Sequence, residues 1–289
     1  MTVSSDDPLD RRVRKSAEEK SLPSGEPIRA IGHRQARKLA AASKTSLGRI
    51  YSRAAAAGVW PERFLRNANA LSAQDQARLL NSRVAVVGLG GLGGTVVEIL
   101  ARIGIGAMTL IDGDRFEESN LNRQLTSTVE ALGALKAEQA AGRVQSVNPA
   151  VEVTAHSAFF TRDAAERLLA GTDVVIDCLD SIPVRFELES AARAAGAPMI
   201  SAAVGGATGH VTTVFPEDPG LVAIYGQADE SPQKGSESEL GCLPQAVFLL
   251  ASLEASEAVK VLLDKRGLLR NRLLLVDLFE NTFEIIQLS

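Results

Sequence analysis

From residue 84 onward, short apolar runs alternate with longer amphipathic stretches. Residues 84–87 (Val-Ala-Val-Val) read as a buried strand, 92–103 as a helix, 107–112 as a strand, 134–147 as a helix and 151–154 as a strand. A helix near 163–169, a strand over 173–178, a helix across 185–195 and a strand over 198–204 continue the series. Short apolar strands separated by helices predict a parallel sheet covered on both faces with right-handed crossovers. The expected fold class is therefore α/β, a doubly wound, Rossmann-like, mostly parallel sheet. After Gly209 the period changes to strands without intervening helices (210–215), then a polar stretch over 216–241, a long helix from about 245 to 263, and strands over 273–278 and 282–288. With Glu280-Asn281 as a tight turn, antiparallel strands close the sheet. Upstream, Ile28, Ile31, Ala36, Leu39 and Ala40, then Leu47, Ile50, Tyr51 and Ala54, fit two short amphipathic helices over 26–58, and a further helix is expected over 73–80. Residues 1–25 lack periodicity and read as a mobile tail.

Composition narrows the class. The chain has 289 residues, 45% apolar and 23% charged, an ordinary globular balance, and a net charge of −4. Residues 1–53 hold twelve Lys or Arg against six Asp or Glu, a local +6 that leaves the remainder at −10. A basic helix pair is either a DNA-reading helix-turn-helix or a docking appendage with solvated charges, and the acidic remainder argues against a nucleic-acid partner. The two cysteines, Cys178 and Cys242, cannot build a four-thiolate zinc site and read as reduced thiols. No apolar run of the roughly 20 residues needed to span a membrane is present, nor a signal-peptide core, so a cytoplasmic protein with no membrane partner is expected.

Strand 84–87 runs into Gly88-Leu-Gly90-Gly91-Leu-Gly93-Gly94 and then a helix. Glycines allow a tight turn, let backbone approach a phosphate and bring helix close to sheet, while the helix N-terminus offers free N–H groups to an anion. Asp112, 24 residues after Gly88 at the next strand's end, is placed for ribose hydroxyls. Alone this says only that a nucleotide binds. A polar segment follows: Asp112-Gly-Asp114-Arg-Phe-Glu-Glu-Ser-Asn120-Leu-Asn122-Arg123-Gln124, with Lys136 thirteen residues after Arg123. Arg pairs bidentately with phosphate oxygens, a carboxamide adds neutral hydrogen bonds, and Lys supplies a mobile point charge. Asp180, after the strand ending Asp177-Cys178, sits at the carboxyl edge where α/β ligands bind and is a natural magnesium ligand beside a triphosphate. Each also has a structural reading: Arg123 and Lys136 as solvated charges, Asp180 as a helix cap.

The combination of GLGGLGG, D-x-D, SNLNRQ, the lysine thirteen residues on and DCLD resembles the adenylating enzymes of molybdopterin and thiamine biosynthesis, relatives of ubiquitin-activating enzymes, over roughly residues 60–289. The resemblance implies a homodimer that uses ATP and Mg2+ to adenylate the C-terminal carboxylate of a small ubiquitin-like sulfur carrier, with residues 59–289 as the ATP-binding adenylyltransferase domain. It places Gly88, Gly90, Gly91 and Gly93 at the phosphate loop and Asp112 on ribose, with Asp114 and Gln124 in the same site. Asn120, Arg123 and Lys136 lie around the triphosphate and Asp180 holds the metal. Arg63-Phe-Leu-Arg66-Asn67 resembles a segment whose second arginine enters the partner subunit's site, here Arg66.

Two departures stand out. Where many relatives hold two C-x-x-C pairs on zinc, this chain has Gly220-Leu-Val-Ala-Ile-Tyr225-Gly, so no zinc is expected. Thiamine-type relatives carry a cysteine before the G-x-x-x-P stretch; here Cys242 lies inside it, either packing or taking part in sulfur transfer with a donor protein. The loop 216–241 is either a lid or substrate crossover or a plain mobile loop. The competing readings are activation of another carboxylate (small molecule, peptide or modified tRNA), an NAD-dependent oxidoreductase, and a non-catalytic nucleotide scaffold.

Overall fold

A computed structural model describes residues 7–22, 24–228, 231–235 and 237–288. The N-terminal stretch departs from the expected tail. Asp7 caps helix α1 (Pro8–Ser16) by accepting from the Leu9 N–H at 2.8 Å, with Pro8 pre-set for the first helical position. Strand β1 (Glu18–Ser21) pairs antiparallel with β2 (Pro27–Ile31). Residues 1–6 of the expected tail lie outside the described residues. The chain folds here because Arg53, on a later helix, donates to Asp10 at 2.7 Å and Asp7 at 2.6 Å, a contact 43 residues distant that no local period reveals.

Ile28 and Ile31, read as helical, belong to β2; Pro27 and Gly32 leave too few residues between them for a helix. Helices α2 (His33–Ala42) and α3 (Leu47–Ala56) follow, then the short strand β3 (Trp60–Pro61), parallel to β2. Ile31, Ile50, Tyr51, Trp60 and Phe64 share one core, so this module runs past residue 58 into the turn at Glu62–Asn67. Helix α3 lies against the rest of the protein. A Cβ on Gly48 would stand 2.5 Å from the Ala150 carbonyl oxygen, and the Ser52 hydroxyl donates to Asn81 at 2.9 Å.

Helix α4 (Ala73–Leu79), opened by a Ser72–Asp75 capping box, leads into the main domain. Its elements are β4 (Arg83–Val87), α5 (Gly91–Ile103), β5 (Ala107–Ile111), α6 (Lys136–Val147), β6 (Glu152–His156), α7 (Arg162–Leu169), β7 (Val174–Asp177), α8 (Ile182–Ala194), β8 (Met199–Gly205) and β9 (Thr208–Val214). The loop that follows contains two one-turn helices, α9 (Val222–Tyr225) and α10 (Glu237–Leu240), before α11 (Pro244–Leu262), β10 (Arg272–Asp277) and β11 (Thr282–Gln287). The eight strands lie in the order β6-β5-β4-β7-β8-β9-β10-β11; the first five are parallel and the remainder antiparallel, as expected. Asn281 takes a left-handed φ of 56° in the β10–β11 turn. Helices α5, α6 and α11 cover one face around Val86, Leu100 and Leu250; α7 and α8 cover the other around Val87, Leu168 and Leu188. No helix among the described residues is long and apolar enough to cross a membrane. Chain order reverses between β4 and β7, and their carboxyl ends open the crevice where such sheets bind ligands.

Candidate functional site

A cleft of about 210 Å³ opens at that crevice, lined by Gly88, Gly90, Gly91, Asp112, Asp114, Arg123, Gln124, Lys136 and Asp180 among others. The glycines have separable reasons. Gly88 has a left-handed φ of 88°, and a Cβ there would stand 2.6 Å from the Cys178 carbonyl oxygen, so it closes the turn against the β7 loop. Gly93 is not at the cleft; its missing Cβ, which would fall 1.8 Å from the Gly88 carbonyl oxygen, lets α5 press onto the turn. Gly90 caps α5 with no side chain, and the first-turn N–H groups of the helix have no intrahelical acceptor, a setting for an anion.

Asp112 follows β5 directly, with both carboxylate oxygens engaged by backbone: Oδ2 accepts from Leu89 N–H at 2.6 Å and Oδ1 from Asp114 N–H at 2.7 Å. It therefore ties the glycine loop to the polar segment while facing the cleft. Lys136, only 7% exposed, opens α6 and its Nζ donates to Asp114 Oδ2 at 3.1 Å. Arg123 donates to the Ser119 carbonyl and Asn122 Oδ1, both at 2.9 Å, from the cleft wall. Beside it Gln124 is buried, and its Oε1 has no hydrogen-bond partner among the described residues.

Asn120 departs from expectation. It is buried, it does not line the cleft, and its Oδ1 accepts from Glu117 N–H at 3.0 Å within a capping turn. The reason is local: an Asn three residues after a turn's start satisfies a backbone donor that would otherwise be orphaned. It shapes the segment that presents Arg123.

Asp180 is exposed in the cleft, and its side chain makes no hydrogen bond or ion pair among the described residues. Ser181, not Asp180, stands at the N-cap of α8, so the capping alternative fails. Two residues the sequence reading missed shape this loop. Arg185, buried, donates to Asp177 Oδ2 at 2.9 Å, Ser201 Oγ at 3.1 Å, the Ala202 carbonyl at 2.9 Å and the Leu179 carbonyl. Asp177 in turn accepts from Leu179 N–H at 3.2 Å. A carboxylate ending an apolar strand, with an arginine eight residues on, was the available signal.

The two cysteines differ in setting. Cys178 donates to buried Glu254 on α11 at 3.4 Å, and burial pushes both the thiol and the carboxyl well above their ordinary values. Cys242 lines the cleft; burial raises its thiol, opposed by the Arg123 guanidinium. No cluster of three or more His, Cys, Asp or Glu able to hold a metal occurs among the described residues. Arg66 is exposed on the 62–67 turn and lies outside this cleft, while Arg63 of the same segment bonds Asn148 and the Val147 carbonyl.

Residues 64–289 match the ThiF family. A SAMP-activating enzyme E1 of Haloferax volcanii is 37% identical over 74% of this chain and 79% of its own length. A sulfur carrier protein adenylyltransferase of Thermus thermophilus is 34% identical over 73% and 80%. An adenylyltransferase and sulfurtransferase of Drosophila grimshawi is 32% identical over 70% of this chain, which spans 45% of that longer protein. Among solved structures, E. coli MccB with succinimide shares the fold at a TM-score of 0.68 and 20% identity, covering 79% of this chain and 72% of that one.

Proposed function

The chain belongs to the ThiF family of adenylyltransferases, and from that membership we propose that it uses ATP to activate the C-terminal carboxylate of a small ubiquitin-like sulfur-carrier protein, for cofactor biosynthesis of the molybdopterin or thiamine type. The observation that carries the reading is the convergence, in one cleft, of the α5 N-terminus, Arg123, Lys136 and an unpartnered Asp180. The donor set suits a triphosphate: free helix N–H groups, a guanidinium and an ammonium. An exposed carboxylate beside them, that of Asp180, suits Mg2+, which would neutralise phosphate charge when bound.

In the proposed reaction a carboxylate oxygen of the carrier's terminal residue bonds to the α-phosphorus of ATP and the bond to the pyrophosphate oxygen breaks, giving an acyl-adenylate and pyrophosphate. No covalent group of the enzyme is needed. Arg123 and Lys136 hold the phosphates and offset charge as pyrophosphate leaves, and Lys136 exchanges its Asp114 partner for phosphate oxygen to do so. Gln124 stands against Gly90, the nearest atom to a Cβ placed there being its Nε2 at 3.5 Å, and its carboxamide adds a neutral hydrogen bond. Asp112 faces the ribose. The enzyme acts as a homodimer, with Arg66 reaching the neighbouring subunit's phosphates, and a separate sulfur donor acts on the adenylate.

ATP–pyrophosphate exchange tests this. Radiolabel should pass from pyrophosphate into ATP only when a carrier with a free C-terminal carboxylate is added, and a carrier lacking its last residues should not support it. Exchange driven by a small carboxylate alone would replace the carrier with another acyl substrate.

A further inference from the structure

A second cavity, of about 380 Å³, lies at the other end of the strands from the cleft. One wall is the amino edge of the sheet, where Arg83, Ala107 and Glu152 are the first residues of β4, β5 and β6. Each of these strands is five residues long, so about 17 Å of sheet separates the cavity from the cleft. The other wall is the start of α3, with Ser46, Gly48 and Arg49. That helix belongs to the N-terminal module and precedes the family match, which begins at residue 64, so the family's own domain supplies only part of this cavity. The approach of Gly48 to Ala150 and the bond from Ser52 to Asn81 fix the two walls against each other.

The neutral polar side chains of the walls are engaged within the protein. Ser46 Oγ accepts from the Arg49 N–H at 3.1 Å, Asn81 Nδ2 donates to the Ala77 carbonyl at 2.6 Å, and Ser82 Oγ donates to the Arg78 carbonyl at 2.8 Å. The charged ones are not. The guanidinium groups of Arg49 and Arg83 make no hydrogen bond or ion pair among the described residues, and Glu152 of the same lining pairs with neither. Nearby arginines behave differently: Arg53, on the same helix as Arg49, binds Asp7 and Asp10, and Arg63 bonds Asn148, the neighbour of the cavity's Pro149. Two unpaired guanidinium groups lining one space repel each other, and their forks match the oxygens of a tetrahedral dianion. We propose that this cavity is a second ligand site, for a small phosphate-bearing anion held between Arg49 of the module and Arg83 of the sheet. The bound anion ties the module to the domain. Glu152 lowers the affinity for phosphate alone and offers an acceptor to a hydroxyl of the molecule that carries it.

Calorimetric titration of inorganic phosphate into the full chain at low ionic strength tests the site. Binding should persist in Arg123→Ala, which alters only the cleft, and should weaken roughly tenfold or more in Arg49→Gln and in Arg83→Gln, each of which removes one charge-assisted pair. Glu152→Gln should tighten it. Phosphate should also raise the temperature at which Trp60, the chain's single tryptophan and buried in the module, changes its fluorescence, and Arg49→Gln should abolish that rise. Absence of phosphate binding overturns the site. So does binding that is lost in Arg123→Ala and unchanged in both Arg49→Gln and Arg83→Gln. Tighter binding of succinate, a dianion whose charges are separated, than of phosphate overturns the ligand class. The cavity and the cleft lie on opposite edges of the sheet, so each of these failures leaves the proposed reaction standing.

Discussion

In the N-terminal module the charges that border its core find partners within the chain: Arg53 bridges Asp7 and buried Asp10, and the His33 ring and the Tyr51 hydroxyl meet at 2.9 Å. In the cleft some polar groups are left over beside partnered ones such as Asp112 and Lys136. Among the described residues Asp180 has no side-chain partner and Gln124 Oε1 is buried and unpaired, and the first-turn N–H groups of α5 have no intrahelical acceptor. The buried unpaired oxygen of Gln124 costs free energy and the exposed Asp180 carboxylate adds none to the fold, so neither is arranged for the protein's own stability. The contrast separates groups that hold the protein together from groups that await a ligand.

Mutations should divide along the same line, the largest effect falling on the cleft. Lys136→Ala and Arg66→Ala should each lose exchange activity by on the order of 10³-fold with little change in melting temperature. Mixing the two variants sharpens the contrast: heterodimers should regain one site, built from the intact Lys136 of one chain and the intact Arg66 of the other. If heterodimers form and no activity returns, Arg66 does not act across an interface. Asp180→Ala should cost on the order of 10²-fold in exchange, with a raised Mg2+ requirement, and no stability. Near wild-type exchange at unchanged Mg2+ dependence would return Asp180 to the ordinary surface.

The module should show the reverse. Arg53→Ala leaves Asp10 buried without its partner and should destabilise the fold by about 2–4 kcal/mol, at the lower part of the range for buried pairs because Arg53 is partly exposed. Denaturant melts would reveal it, while exchange by the folded fraction stays near wild type. A loss of activity without a loss of stability would instead connect the module to the chemistry.

The smallest effect concerns Glu254, which is fully buried behind the cleft. Burial and the nearby Asp177 hold its carboxyl well above the ordinary range, so the folded state keeps a proton that the unfolded chain releases. Its contribution to stability therefore falls as pH rises above the normal carboxyl value of 4.5 towards the raised one. Glu254→Gln keeps an acceptor for Cys178 and removes the titration. The variant should match wild type at pH 4 and melt higher than wild type at pH 8. Parallel melting profiles across that range would show that the carboxyl does not titrate as its burial requires.

The residues themselves determined the doubly wound sheet, the closing antiparallel strands and the glycine turn, because hydrophobic period and backbone freedom are local properties that survive in any window of the chain. They also marked Arg123, Lys136 and Asp180 as chemistry of one kind. Which of the marked groups reach the cleft was decided in three dimensions. Asn120 turned inward because a backbone N–H three residues away competes for its side chain, and Gly93 serves the helix rather than a phosphate because α5 presses on Gly88. The order in residues 8–21 depends on Arg53, and the loop that presents Asp180 depends on Arg185 reaching Ser201 and Ala202 on another strand. Such contacts join residues far apart in sequence, and their energy exists only once the intervening chain has folded, so no pattern along the chain records them.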